Sequence, residues 1–334
     1  MSSIPTEPRV SAYVPTASTI GCRVFAWAVV GTLFAFLVNC YLSYWRDWPG
    51  PMAAFGEAPS GQAWLQILLY VGGILGAAAY VSTSRQRSLR DDDRVLTRLT
   101  SYIVEVAFWI VLLIGVADAL ISFLRVEALL TLFVSEETAG ALGRNAYRGP
   151  VVHGPLVVAA LVIPLFVRRM GFHWLALLVV IAELEIVIFR FVFSYEQAFM
   201  GDLVRLWYAA LFLFASAYTL VEDGHVRVDV FYSNFSPERR GLVNALGSLL
   251  LGLPLCWVVL VLGMGSKTSI IASPLVNLEV SQQGFGMYVK YLMAGFLAVF
   301  AVTMTIQFAA YFLQGVADYR GDAGRREPPT AGAH

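Results

Sequence analysis

The sequence predicts an all-α integral membrane protein with eight transmembrane helices and both termini on the cytoplasmic side. The first observation is that charged residues make up only 14% of the 334 residues, whereas a soluble globular protein has about 25%. The second is an apolar share of 58% with a mean hydropathy of +0.69. The third is a set of eight long apolar runs. Each approaches the length of about 20 residues that a helix needs to cross a hydrocarbon core.

Each apolar run is interpreted as one membrane-crossing helix. The runs occupy residues 24–45, 64–81, 102–124, 151–167, 172–193, 203–221, 242–265 and 287–315. The fourth is short for a crossing, the eighth is long enough to tilt, and Pro254 predicts a kink in the seventh. The half-apolar piece 126–134 fits either a helix on the membrane surface or an extension of the third helix. The polar stretch before the first run lacks the features of a secretory signal, so the first helix is expected to be retained.

The basic residues orient the helices, because cytoplasmic loops of membrane proteins are enriched in Lys and Arg. With the N-terminus inside, 15 of the 23 basic residues fall in cytoplasmic segments, 5 fall outside and 3 lie in helix ends. This asymmetry predicts that both termini are cytoplasmic.

Composition also argues against other classes of protein. Basic and acidic residues balance at 23 each, so a basic surface for nucleic acid is not expected. The three cysteines are too few and too scattered for a disulfide framework or a zinc site. His153 and His173 begin helices at opposite surfaces, which excludes a shared haem. We therefore predict no enzyme activity, no catalytic residue, no metal site and no cofactor.

Specific motifs appear in the second half of the chain. After the sixth helix, His225, Arg227 and Asp229 alternate with valines, a period-2 pattern that puts the polar groups on one side. A Ser-Pro pair at 236–237 then gives a helix start signal, with a capping hydroxyl followed by proline at the first helical position.

This arrangement resembles the small, DctQ-type permease subunit of tripartite ATP-independent periplasmic (TRAP) transporters. The resemblance covers about residues 172–320 and keeps the order and spacing of the family's motifs. The positions that match are Arg190, Asp202, Arg205, 215–218, 224–229, 236–240, 277–281, Lys290 and Gln307. Asp202 stands where the family usually has Glu, and Ala215 where it often has Gly. Both departures conserve charge or small size.

The resemblance implies a non-catalytic scaffold in the bacterial inner membrane. The family's small subunit has four helices and packs against a large permease subunit that carries the substrate and ion sites. A periplasmic solute receptor delivers the substrate, commonly an organic acid, and an ion gradient drives uptake. The positions expected to contact a partner are Arg190, Asp202, Arg205, His225, Arg227, Asp229, Glu279 and Lys290.

Some of these positions have a second interpretation. Arg205 and Lys290 lie near the outer ends of their helices, so they either extend to lipid headgroups or contact the receptor or the large subunit. His225, Arg227 and Asp229 are expected to clamp the large subunit or membrane lipid on the cytoplasmic side.

The chain divides by resemblance into two membrane regions with a tail at each end. Residues 1–23 and 321–334 are the cytoplasmic tails, 24–170 is an N-terminal four-helix region, and 171–320 is the DctQ-like region. A shift of 138 residues places Tyr70 on Tyr208 and Tyr80 on Tyr218, and it carries the third and fourth runs onto the seventh and eighth. We therefore hypothesise a degenerate tandem duplication, with two parallel four-helix repeats.

Polar residues inside the helices are a further group of candidates, because charges at bilayer depth are costly. They are Glu105, Asp118, Glu183 and Glu185. Asp118 lies at a depth similar to that of Arg190, which predicts an ion pair between them. Glu183 and Glu185 point to different faces of one helix, so they form a poor metal site, and at least one is expected to face a partner protein. An ion or proton relay is the alternative to structural pairing.

The second candidate function is a self-sufficient secondary carrier. Such carriers have broken helices at corresponding positions of two halves. Pro164 and Pro254 do not correspond under the shift of 138 residues, which favours the scaffold interpretation.

Overall fold

The computed structural model describes residues 16–167, 172–221, 232–280 and 286–325. Within these residues the chain is α-helical and contains no β-strand, which confirms the predicted fold class. The α-helices are α1 (Ala17–Trp45), α2 (Gly61–Thr83), α3 (Leu89–Val126), α4 (Glu136–Leu142), α5 (Asn145–Arg148), α6 (Gly154–Val162), α7 (Phe172–Phe193), α8 (Ala198–Val221), α9 (Pro237–Gly247), α10 (Leu253–Met264), α11 (Ala272–Asn277) and α12 (Lys290–Tyr319).

Seven helical segments in the described part of the chain are long and apolar enough to cross a membrane. They are Ala17–Trp45, Gly61–Thr83, Leu89–Val126, Asn145–Leu165, Ala198–Ala217, Pro237–Met264 and Lys290–Tyr319. The remaining helix expected from the sequence, the fifth run at 172–193, is α7, which has 22 residues but is not among the seven. It carries three charged residues, Glu183, Glu185 and Arg190.

The first and last helices meet at one end of the bundle. Arg320, just after α12, donates hydrogen bonds to the hydroxyls of Thr16 at 3.0 Å and Ser18 at 2.9 Å, at the start of α1. The start of α1 and the end of α12 therefore lie at the same end of the bundle, and an eighth crossing at α7 stays a prediction. That this end faces the cytoplasm stays a prediction.

Helix α3 is much longer than the span expected at 102–124. It has 38 residues, or about 57 Å at a rise of 1.5 Å per residue, against a hydrocarbon core of about 30 Å. A capping box starts it, with Ser88 accepting from the Asp91 backbone and the Asp91 carboxylate accepting from the Ser88 backbone. The sequence pattern missed the first turns because they are rich in charge.

The fourth and seventh crossings both contain a π turn. The fourth begins at Asn145, six residues before the expected start, and runs through a π turn at Gly149–His153 into α6. The seventh begins at Pro237 and has a π turn at Ser248–Gly252, which ends two residues before Pro254, the proline expected to kink it. Proline lacks the N–H that an α-helix needs, and π turns interrupt the regular hydrogen-bond ladder at such places.

Both interpretations of the piece 126–134 were wrong. Helix α3 ends at Val126, and the residues that follow form only a short 3-10 turn, Leu130–Leu132, before α4. Leu130 is buried, whereas Leu132 and Phe133 are exposed.

Helices α1 and α2 cross with their backbones in contact. A Cβ added at Gly31 would lie 2.5 Å from the carbonyl oxygen of Gly73, and one at Gly73 would lie 2.7 Å from the carbonyl oxygen of Gly31. Small residues allow such close helix packing in membranes, where packing rather than water exclusion drives association.

The N-terminal and DctQ-like regions share their hydrophobic cores. One core joins Leu33 of α1 and Leu96 of α3 to Leu313 of α12. The other joins Ile114 of α3 to Leu206 of α8 and to residues of α7 and α12. Helices α3 and α12 therefore hold the two regions together.

The hypothesis of a tandem duplication is not supported by the way the helices pack. Helix α8 packs against α12, whereas α2 and α6, at the corresponding places of the first region, share no comparable interface. The duplication stays a hypothesis.

Candidate functional site

A buried polar cluster lies between the two membrane regions, and Asp118 is at its centre. One carboxylate oxygen, Oδ1, is 2.9 Å from Arg148 Nη1 and 3.1 Å from His153 Nε2. The other, Oδ2, accepts a hydrogen bond from the backbone N–H of Tyr288 at 2.5 Å. His153 Nδ1 is 2.6 Å from the hydroxyl of Tyr291. We call these five residues the outer polar cluster, after the side of the membrane on which the sequence analysis predicts them.

The π turn explains how Arg148 and His153 reach the same carboxylate. Side chains five positions apart in a regular α-helix point about 140° away from each other. The wider π turn at Gly149–His153 reduces that angle. Arg148 is held further by donating from Nε to the carbonyl of Leu142 at 2.8 Å.

The outer polar cluster is closed to solvent. The side chains of Asp118 and Arg148 are both 0% exposed, and that of His153 is 2% exposed. The Tyr288 ring covers the Arg148 guanidinium, with Cζ 4.0 Å from the ring centroid. Each Asp118 oxygen has at least one protein partner. This geometry favours a structural joint between the regions over an ion relay.

The predicted ion pair between Asp118 and Arg190 is wrong. Arg190 Nε lies 3.5 Å from Glu196 Oε2, and both side chains are more than half exposed. Helix α7 packs against α8 and shares no comparable interface with α3. Arg148 is the arginine that pairs with Asp118. The sequence analysis began the fourth helix at 151 and so left Arg148 in an outer loop, because the turn 145–148 is not apolar.

Other residues expected to contact a partner form local ion pairs at the end of the bundle that is predicted to face outward. Asp202 Oδ1 is 3.5 Å from Arg205 Nη1, and Asp202 Oδ2 accepts from the backbone of Met287 at 3.0 Å. Glu279 Oε2 is 2.9 Å from Lys290 Nζ. The side chains of Arg205 and Lys290 are more than half exposed, so each keeps donors free for another contact.

The remaining polar residues divide into two groups. Glu105 is half-buried and engaged in an interaction within the protein. Glu183 and Glu185 are exposed on α7 and make no hydrogen bond or ion pair with any residue that the structure describes. The motif residues His225, Arg227 and Asp229 lie outside the described residues.

A second buried cluster, at the opposite end of the bundle, was missed by the sequence analysis. Arg23 Nε of α1 is 2.7 Å from Asp92 Oδ2 of α3, and both side chains are 0% exposed. Trp27 Nε1 donates to the same oxygen at 3.0 Å. Arg90 Nη2 reaches Asp318 Oδ1 of the DctQ-like region at 2.9 Å. We call these residues the inner polar cluster.

An exposed contact links the turn after α7 to the residue that follows α3. The Tyr195 hydroxyl donates to Glu127 Oε1 at 2.7 Å. Partial burial and then this hydrogen bond raise the pKa of Tyr195 to about 12. The phenol therefore remains a donor throughout the physiological pH range.

Metal ligands do not assemble within the described ranges, where no three His, Cys, Asp or Glu side chains are placed to hold one ion. Cys22, Cys40 and Cys256 are free thiols.

Comparison with known proteins finds a family match for the second region. Residues 176–318 match the family model described as tripartite ATP-independent periplasmic transporters, DctQ component. The match starts within α7 and finishes within α12, which confirms the resemblance inferred from the motifs. No curated protein and no solved structure matches the chain.

Proposed function

We propose, from the premise that residues 176–318 of this chain belong to the DctQ component family of TRAP transporters, that the chain is the small membrane subunit of such a transporter. It supports a large permease subunit in the bacterial inner membrane. A periplasmic receptor delivers an organic acid or similar solute, and an ion gradient drives its uptake. The family is a transporter membrane component and not an enzyme.

The family match is the observation that carries this proposal. The buried carboxylates inside the bundle support it, because they are paired with basic side chains. Asp118 and Asp92 sit in closed clusters in which basic side chains of this chain already compensate them. Carboxylates that bind a transported ion or proton need access to water. A scaffold, in contrast, requires only that its buried charges be paired.

We further propose partner contacts at the outer and inner ends of the DctQ-like region. Arg205 and Lys290 are exposed donors near one end, and they suit contacts to the receptor, the large subunit or lipid headgroups. Arg190 also keeps an exposed guanidinium there. His225, Arg227 and Asp229 stay proposed contacts for the large subunit or lipid on the cytoplasmic side.

The transport assay that tests the proposal compares three kinds of liposome. They contain this chain alone, the co-expressed large permease alone, or both, and each is supplied with the receptor and a panel of radiolabelled organic acids under an imposed sodium or proton gradient. We expect gradient-driven uptake only where both membrane subunits are present. Uptake by this chain alone would support the second candidate, a self-sufficient secondary carrier, and would contradict the scaffold proposal.

A further inference from the structure

A groove of about 210 Å³ opens on the side of the bundle where α3, α7 and α8 meet. Its walls are mostly apolar and include Phe123 of α3, Phe199 and Leu203 of α8, and Phe189 of α7. Glu185, on α7, also lines it and is the acidic residue of the lining. We call it the α3–α7–α8 groove. One wall comes from the N-terminal region and two come from the DctQ-like region.

Glu185 lies well below the end of its helix. It is eight residues before the last residue of α7, or about 12 Å along the helix axis. A carboxylate at that depth is costly unless it is neutralised or paired with a cation. Within the described residues no side chain pairs with it.

The neighbouring polar groups are already committed elsewhere. The Tyr195 hydroxyl, which also lines the groove, donates to Glu127. Arg190, five positions after Glu185, pairs with Glu196. A cation that pairs with Glu185 therefore lies outside the described part of the chain.

We propose that the α3–α7–α8 groove receives a Lys or Arg side chain from a membrane-spanning helix of the large permease subunit. The inference rests on the proposed function and adds the docking face and its chemistry to it. The apolar walls suit the aliphatic stem of such a side chain, and Glu185 suits its charged end. Because α3 supplies one wall, the N-terminal region helps to build the docking site.

The rest of α7 fits a partner helix better than a lipid headgroup. Val180, Leu184 and Phe191 are exposed on the side of α7 that faces away from the bundle, and they offer an apolar surface for helix packing. A lipid amine stays at the headgroup level, whereas Glu185 lies about 12 Å along the helix from the last residue of α7. A basic residue carried by a neighbouring helix reaches that depth directly.

Glu183 provides a matched control on the same helix. It is also exposed, and it has no partner within the described residues. It lies two positions from Glu185, about 200° around the helix, and it does not line the groove. The same substitution at the two positions therefore separates the groove from a general effect of charge on α7.

The experiment purifies the tagged full-length chain with its co-expressed large permease and measures how much permease is recovered. We expect Glu185→Lys to reduce recovery by about tenfold or more, because it places two cations together. Glu183→Lys should leave recovery within about twofold of the unsubstituted chain. Monodisperse elution of each variant and its thermal unfolding check that it folds. Glu185→Gln, which keeps the size of the side chain, provides a second test in case the lysine variant fails to fold.

A photo-crosslinking residue at position 185 or 183 identifies the occupant. We expect the adduct at 185 to contain a large-permease peptide with a Lys or Arg, and exchange of that residue for Glu to restore recovery with Glu185→Lys. An adduct with lipid alone, or equal recovery of the Glu185 and Glu183 variants, would overturn the groove proposal while permease recovery by the unsubstituted chain still supports the proposed function. No permease recovered with the unsubstituted chain would overturn both.

Discussion

Arg148 Nη1 lies 2.9 Å from Asp118 Oδ1, and neither side chain is exposed to solvent. This ion pair is part of a joint rather than an isolated contact, because Asp118 also binds the backbone N–H of Tyr288. It connects α3 and α5 of the N-terminal region to the segment before α12 of the DctQ-like region. A buried ion pair and a backbone hydrogen bond therefore join the two regions where the side chains are not exposed to water.

Replacing Asp118 with Ala should destabilise the protein strongly. The change leaves the buried Arg148 charge uncompensated, which costs about 3–5 kcal/mol of unfolding free energy. Unfolding in mixed detergent micelles measures the effect. Asp47→Ala is the matched control, since Asp47 pairs with Lys267 where the two side chains are 80% and 47% exposed, and it should cost no more than about 1 kcal/mol. Equal losses of unfolding free energy for the two variants would contradict the conclusion that Asp118 joins the two regions.

Replacing Arg23 with Ala should have a comparable effect at the inner polar cluster. Asp92 would keep its buried charge but lose its closest basic partner, so we expect a loss of about 3 kcal/mol or more. The same unfolding measurement applies. The exposed Arg94, paired with Asp91 one turn away, is the control, and Arg94→Ala should change stability by less than about 1 kcal/mol. A loss of less than about 1 kcal/mol for Arg23→Ala would mean that the cluster adds little to stability.

Gly73 and its neighbour Gly72 should respond differently to the same substitution. A Cβ at Gly73 would meet the backbone of Gly31 at 2.7 Å, whereas one at Gly72 meets nothing within 4 Å. Gly73→Val should therefore separate α1 from α2 and lower the free energy of unfolding by about 1–3 kcal/mol, the usual range for overpacking. Gly72→Val should be milder. A disulfide engineered across the two helices reports their distance, and an equal rate of its formation in both variants would argue against the close crossing.

The Tyr195 phenol should lose its proton at a higher pH than ordinary tyrosines. Its pKa is raised to about 12 in the folded protein, above the ordinary value of about 10. The folded state therefore keeps this proton while the unfolded chain loses it, and the contribution to stability disappears as the pH rises from about 10 to about 12. An ultraviolet difference titration against Tyr195→Phe measures the late phase. Glu127→Gln removes the negative charge and should shift that phase to lower pH, while an unchanged phase would exclude Glu127 as a cause.

The sequence predicted the helices well because the membrane imposes one clear pattern. Seven of the eight apolar runs coincide with helical segments that are long and apolar enough to span. The remaining run, 172–193, coincides with α7. The errors lie where the first turns of a helix are polar. The first turns of α3, from Leu89, and the short helix α5, from Asn145, are polar and precede the apolar run.

The clusters were harder to predict because they depend on tertiary distance. Asp118 and Arg148 are thirty positions apart, and Arg23 and Asp92 are sixty-nine, so no local pattern connects them. Depth alone pointed to Arg190 as the partner of Asp118. Only the packing of α7 on α8, together with the π turn before α6, determines which arginine reaches the carboxylate.

The most direct test of the account is the mass of the particle that the tagged full-length chain forms with its co-expressed large permease in detergent. Light scattering with the detergent contribution subtracted measures it. We expect one monodisperse species that contains this 36.7 kDa chain and the larger membrane subunit in a fixed ratio. A particle whose protein mass is accounted for by this chain alone, under conditions in which the permease is also folded and monodisperse, would contradict the proposal that the chain is a scaffold subunit.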